Sequence, residues 1–235
     1  MSTDAPLAGW MPPLRPTRET LHGRYVRLEP LTVDHAEGLW QAFEGHDAVW
    51  RWMPAGPFAD LAAYRAHIAE VCRPEDPLQH AVRMQDGTLA GTMSLLRITP
   101  AAGSIETGWI AFSPRLQRSR EATEAIYLHM RWAFEAGYRR FEWKCNALNA
   151  ASRRAAQRFG LSYEGIFRQA TIVKGENRDT AWFAAIDSEW NALRDAFETW
   201  LAPENFDEAG QQRTRLSDLT APILVARDPN MAIAE

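Results

Sequence analysis

The chain has 235 residues, 46% of them hydrophobic, enough to bury a substantial core as one domain. A formal net charge of −4 leaves no electrostatic footprint for nucleic acid, and no apolar run is long enough to span a bilayer. Its two cysteines, Cys72 and Cys145, have neither metal nor disulfide spacing, and the start lacks the basic and apolar regions of a signal peptide. This composition suits a cytoplasmic protein without a metal, a membrane or a nucleic-acid partner.

In chain order, residues 1–20 carry four prolines and little periodicity, and are expected to form an arm. A short strand at Tyr25 to Leu28 precedes a helix capped by Thr32 or Asp34 and running through Phe43. The aromatic stretch Trp50 to Phe58 is broken by proline and glycine and predicts a structured loop. A second helix follows from about Asp60 to Cys72. His80 to Met84 and Leu89 to Ile98 form a hairpin across an Asp86-Gly87 turn, and Ser104 to Phe112 returns as the next antiparallel strand. Beyond it lie a helix from Glu121 to Ala136 stopped by Gly137, a strand from Arg140 to Cys145, and a helix from about Ala150 to Phe159 closed by Gly160. Strands around 164–173 and 179–186, joined by a Lys174 to Asn177 turn, and a helix from Glu189 to Leu201 complete the pattern. The expected organisation is an arm over 1–20, one folded domain over 21–201 and a tail over 202–235. The order implies a mixed α/β fold with a mostly antiparallel central sheet flanked by helices, with no dinucleotide-binding or P-loop signature.

The run from Ile105 to Gly165 carries the chemistry. A strand ends at Ser113-Pro114, the loop Leu116-Gln117-Arg118-Ser119-Arg120 follows, and a helix starts directly after it. The first N–H groups of a helix lack partners and its dipole favours negative charge, so this junction suits an anion such as the pyrophosphate of a nucleotide-like cofactor. Arg118 and Arg120 add positive charge, or are solvated surface groups.

Gly108-Trp109-Ile110, Ser113-Pro114, Gln117 to Ala125, then Asn149 to Arg154, Phe159-Gly160-Leu161 and Glu164-Gly165 together resemble the GCN5-related N-acetyltransferase (GNAT) superfamily, nearest to the branch that acetylates ribosomal-protein N-termini. The resemblance covers about residues 21–190. It implies acetyl-CoA as cofactor, with no metal, and direct transfer of an acetyl group to a primary amine, either a protein N-terminus or a small molecule. It places Ile110, Ala111 and Phe112 along the pantetheine arm, Gln117, Arg118, Ser119, Arg120, Glu121 and Ala122 around the phosphates, and Asn149 and Arg153 beside the arm.

One departure stands in the phosphate loop. Arg120 occupies a place where the family carries glycine, and arginine is poor at positive φ. A second stands at Thr171, in the place of a carboxylate that serves as base in the ribosomal-protein branch.

For catalysis, the resemblance marks Glu106 as candidate base and Ser152 as candidate proton donor to the thiolate. Each has a plain structural alternative, an outward-facing strand carboxylate for Glu106 and a helix cap for Ser152. An α-amino group, with a pKa near ~7.7 against ~10.4 for lysine, needs only a modest base. Cys145 follows an apolar strand with no nearby histidine and reads as packing. The acceptor would lie among Trp50, Trp52, Met53, Phe58, Lys174 and Arg178, where the aromatics form either a pocket or a cluster that pins the loop. The competing functional reading is a non-catalytic acyl-CoA-binding or assembly module on the same fold. A homodimer stays open, because Trp190 and Trp200 can be buried within one subunit or across two.

Overall fold

The computed structural model describes residues 7 and 9–230. Of the expected arm, residues 1–6 and 8 lie outside the described residues, as do 231–235 of the expected tail.

The strands are β1 (Leu21–His22), β2 (Val26–Pro30), β3 (Leu78–Met84), β4 (Leu89–Thr99), β5 (Ser104–Phe112), β6 (Arg140–Asn146), β7 (Ser162–Val173) and β8 (Glu176–Ile186). They form one sheet in the order β1-β2-β3-β4-β5-β6-β8-β7, antiparallel at every junction except β5–β6. The helices are α1 (Ala36–Phe43), α2 (Leu61–Val71), α3 (Arg120–Glu135), α4 (Ala150–Arg158), α5 (Trp190–Leu201) and α6 (Leu216–Thr220). A mixed, mostly antiparallel sheet flanked by helices is the architecture expected from the sequence.

Parallel strands need a long crossover, and α3 supplies it between β5 and β6. Its positions 122–130 are buried against one face of the sheet together with α4 and α5. On the other face α1 and α2 cover only the β2–β4 half, packing Leu39, Phe43, Tyr64 and Ile68 over Ala81 and Leu89. The β5 to β7 half of that second face carries charges instead.

Glu124 ties α3 to the first hairpin, its carboxylate accepting the backbone N–H groups of Arg24, Tyr25 and Val26 at 2.8, 2.6 and 2.8 Å. A Cβ at Gly23 would stand 2.4 Å from that carboxylate, so the turn requires glycine. At the far end of the sheet, Lys174 (φ 50°) and Gly175 (φ 80°) both take the left-handed conformation of a two-residue hairpin. The turn is therefore tighter than the four residues expected, and β8 begins at Glu176 rather than 179.

Trp190 and Trp200 are buried within the single chain, where Trp200 packs against Phe206. The segment after Leu201 folds back as a turn, the short helix α6 and an extended stretch. There Tyr163 N–H donates to the Ala226 carbonyl and Val225 N–H to Ser162 Oγ.

Candidate active site

The site is built around a divergence. β5 and β6 pair only from Ser104↔Arg140 to Glu106↔Glu142, and beyond Glu106 the two strands part. On its other edge β5 carries a bulge between the Thr92↔Ala111 and Ser94↔Gly108 pairs, with Trp109 at φ 49°. A bulge bends the strand locally and re-aims its side chains. The β6-facing edge of residues 107–112, where Ile110, Ala111 and Phe112 lie, is thus left without a strand partner among the described residues.

At the end of that cleft the loop closes onto α3. Gln117 N–H donates to the Ser113 carbonyl at 3.0 Å and its side-chain amide donates to the Phe112 carbonyl at 2.8 Å. Ser119 is the N-cap: its Oγ accepts the Ala122 N–H at 3.0 Å and donates to the Leu116 carbonyl at 2.6 Å. The N–H groups of Arg118, Ser119, Arg120 and Glu121 donate to no acceptor among the described residues. Four free donors at the N-terminus of a 16-residue helix form an anion cradle. Glu121 adds one negative charge in that first turn.

The arginines behave differently from the sequence-based expectation. The left-handed residue is Arg118 (φ 58°), whereas Arg120 is simply the first helical residue of α3. Arg120 turns its guanidinium away and stacks it over Tyr25 at 5.0 Å and Phe206 at 4.6 Å. A side chain parked between two rings leaves the cradle open, so the absent glycine removes no backbone donor. Arg153 is likewise engaged elsewhere: its guanidinium meets the buried Asp228 carboxylate at 2.7 and 2.6 Å and donates to the Ala147 carbonyl at 2.8 Å. No local signal in the sequence pairs residues 75 positions apart.

Where β5 and β6 part, Glu106 is 2% exposed. Its Oε2 accepts from Arg97 at 2.7 Å and meets Lys144 Nζ at 3.0 Å, while Oε1 has no hydrogen-bond partner among the described residues. Oε1 lies along β5 beside Gly108, where a Cβ would stand 3.1 Å from it. Burial pushes the Glu106 carboxyl above the usual carboxylate range, with Lys144 and Arg97 opposing. Lys144 continues the chain of charges to Glu142 at 2.6 Å, Glu142 to Arg140 at 2.6 Å, and Arg140 to Glu164 at 2.6 Å. Positions 140, 142 and 144 face one side because side chains alternate along a strand.

Opposite, on α4, Asn149 Oδ1 accepts the Ser152 N–H at 3.1 Å, so Asn149 is the cap and Ser152 is released from that duty. Ser152 Oγ accepts from the Trp143 indole at 2.9 Å, so its hydroxyl proton is left to donate, with the Cys145 sulfur as a neighbour. Burial pushes the Cys145 thiol up to about 11, with Ser152 opposing, and a thiol so protonated is no nucleophile.

On the acceptor side, Trp50, Phe58 and Tyr64 pack ring against ring, which pins the loop. Trp52 stacks under Arg51. Met53 and Trp50 border a cavity of about 270 Å³ that reaches Gln79, Thr92 and Trp109. Lys174 Nζ donates to the Trp50 carbonyl at 2.9 Å, so the hairpin tip and the loop close one rim. Arg178 sits in β8 opposite Thr171, near Arg97, Glu106 and Cys145.

The family described as acetyltransferase (GNAT) domain matches residues 26–162, and the chain belongs to it; its members are N-acetyltransferases that use acetyl-CoA. The chain is 45% identical to a GCN5-related N-acetyltransferase from Brucella melitensis, with a TM-score of 0.89 over 92% of this chain and 100% of that one. A probable GNAT-family acetyltransferase from Chromobacterium violaceum is 39% identical, with a TM-score of 0.77 over 82% of this chain and 98% of that one. The uncharacterized N-acetyltransferase YnaD of Bacillus subtilis is 30% identical over 87 residues, 37% of this chain, and the match spans about half (51%) of its length. Solved structures of ribosomal-protein acetyltransferases stand at 21% and 22% identity, a likeness of fold alone. Among the described residues no group of His, Cys, Asp and Glu is arranged to hold a metal, and no helix is long and apolar enough to cross a membrane.

The residues fit the family's cofactor. The free amides of Arg118, Ser119, Arg120 and Glu121 would hold the diphosphate, the unpaired edge of 107–112 would hold the pantetheine arm as an added strand would, and Asn149 and Ser152 stand across the cleft from that edge.

Proposed function

We propose that the chain transfers an acetyl group from acetyl-CoA to a primary amine by direct attack in a ternary complex, with Glu106 as base and Ser152 as proton donor. The observation that carries this reading is the free Oε1 of Glu106 at the point where β5 and β6 separate, beside a glycine that leaves it accessible. When bound, acetyl-CoA supplies the thioester carbonyl. Glu106 Oε1, held by Arg97 and Lys144 through its other oxygen, takes the proton released as the amine nitrogen bonds to that carbonyl carbon. The Ser152 hydroxyl, oriented by Trp143, stands to give a proton to the departing thiolate. A backbone N–H on the free edge of β5 would offer a hydrogen bond to the oxygen of that carbonyl.

Burial makes Glu106 a better base than an exposed carboxylate, and an α-amino group or a small amine of similar pKa suits it. The catalytic unit on this reading is 21–201. The non-catalytic alternative drew on Arg120, on Thr171 and on the long terminal arms, and the stacked position of the Arg120 side chain removes the first of these reasons. Thiol release from acetyl-CoA, followed with a broad panel of amines and peptides, tests the proposal. Release above background hydrolysis, with mass spectrometry showing an acetylated amine, is the expected result; background rates with every acceptor would retire the transferase reading.

A further inference from the structure

On the open face beside Glu106 one cation lacks a partner. Four cations, Arg97, Arg140, Lys144 and Arg178, stand with three carboxylates, Glu106, Glu142 and Glu164. Every one of these carboxylates is paired, whereas the Arg178 side chain makes no ion pair or hydrogen bond with any described residue.

Only three buried side-chain polar atoms among the described residues lack a partner: Ser113 Oγ, Arg178 Nε and Trp182 Nε1. Two of the three are donors on β8, at positions 178 and 182, which face the same side by strand alternation. Trp182 holds Lys144 Nζ 4.1 Å above its ring, which ties it to the same cluster. Buried donors are almost always satisfied, and each one left orphaned costs about 1–3 kcal/mol. Orphans of one kind gathered beside a catalytic carboxylate point to a ligand that supplies acceptors. The cofactor brings no negative charge to this place, since its charged groups belong at the α3 N-terminus and pantetheine is neutral.

We propose that the acceptor is a small amino carboxylate, its amine delivered to Glu106 and its carboxylate received by Arg178 with the Trp182 N–H. A planar guanidinium matches two carboxylate oxygens, and a single cation without a partner matches a monoanion. The half-exposed Arg97 lies on the same side and adds attraction at the entrance. This inference rests on the transferase reading for the amine's role, but the carboxylate site can be tested without turnover.

The experiment pairs free amino acids with their amides, and with peptides amidated at the C-terminus, in two assays on the full chain with coenzyme present. Thiol release is expected to favour the acid over its matched amide by about 100-fold in kcat/KM, as a site with unpaired buried donors discriminates against a ligand that cannot satisfy them. Calorimetry with coenzyme A present should show the same preference in binding. Arg178→Gln should bring the acid-to-amide ratio close to one, and Arg178→Lys should keep part of it. Equal handling of acids and amides, or preference for amidated peptides, overturns the proposal while leaving acetyl transfer intact. Acid-selective binding lost in Arg178→Gln but without thiol release supports the carboxylate site and sinks the transferase reading instead.

Discussion

The two ends of the β5–β6 cleft are built from different materials. The α3 end is made of main-chain donors set by a helix start and a serine cap, and its side chains point away, Arg120 into an aromatic stack. The Glu106 end is made of side chains, a buried carboxylate wired through Lys144 to Glu142, Arg140 and Glu164, with two orphan donors on β8. A backbone site tolerates substitution as long as the helix still starts in place, whereas a side-chain site fixes one chemistry. The shared cofactor therefore belongs at the first end, and whatever distinguishes this chain's acceptor belongs at the second.

The comparison breaks first if Arg153 turns out to serve the cofactor end. Asp228→Ala leaves the Arg153 guanidinium buried without its anion, and the loss expected is about 3–5 kcal/mol of stability, read by urea unfolding. Arg153→Met with Asp228→Leu should restore much of it while cofactor affinity stays unchanged; a double variant as stable as wild type that no longer binds coenzyme A would move Arg153 to the cofactor.

Beneath the cleft, His129 contacts Thr107 of β5 at 3.0 Å and His80 at 3.1 Å, a support shared by both ends. Burial pushes His80 down to about 4, with Arg18 adding to the shift, and His129 well below its ordinary value, with His80 adding there. The unfolded chain then binds protons that the folded one refuses. Stability from this pair is complete above pH ~6.5 and falls as the pH drops toward 4, by up to about 3 kcal/mol for His80. Unfolding curves at pH 7, 6 and 5 should show the decline, flattened in His80→Gln; parallel losses in both proteins would contradict it.

Glu106→Gln sharpens the contrast between ends. It should lower kcat by about 100-fold, some 2.7 kcal/mol of barrier, while the coenzyme A dissociation constant stays within a factor of about three. In the wild type, activity should fade as the pH falls through the raised Glu106 value, and a kcat independent of this residue would place the base elsewhere. The smallest effect belongs to Arg120→Ala, about 1 kcal/mol of stability from the lost stack with little change in cofactor affinity. A large rise in dissociation constant would show the guanidinium reaching a phosphate after all.

The two ends also differ in how far they can be read from sequence. Ser119 before an apolar-periodic run and Gly137 after it delimit α3 locally, and the Asp86-Gly87 turn, Asp60 cap and Gly160 stop do the same for their elements. Gln117 to Ala122 could be found because a helix start is a local event. The Glu106 end depends on which residues oppose one another across β4, β5, β6 and β8, and register is not written within any one strand. Lys144 gives no sign in sequence that it holds Glu106, nor Arg178 that it lacks a partner. Asp228, the partner of Arg153, and α6 lie in a stretch whose composition suggests only a polar tail, because its few buried anchors, Asn205, Leu216, Thr220 and Asp228, follow no regular period.

Hydrogen exchange, read amide by amide with and without coenzyme A, tests most directly whether the parted strands and the helix start form one cofactor cleft. Protection is expected at residues 107–112 and 118–121, the unpaired edge of β5 and the free donors of the α3 turn. Unchanged exchange in both segments at saturating coenzyme, or protection confined to another part of the sheet, would contradict the account.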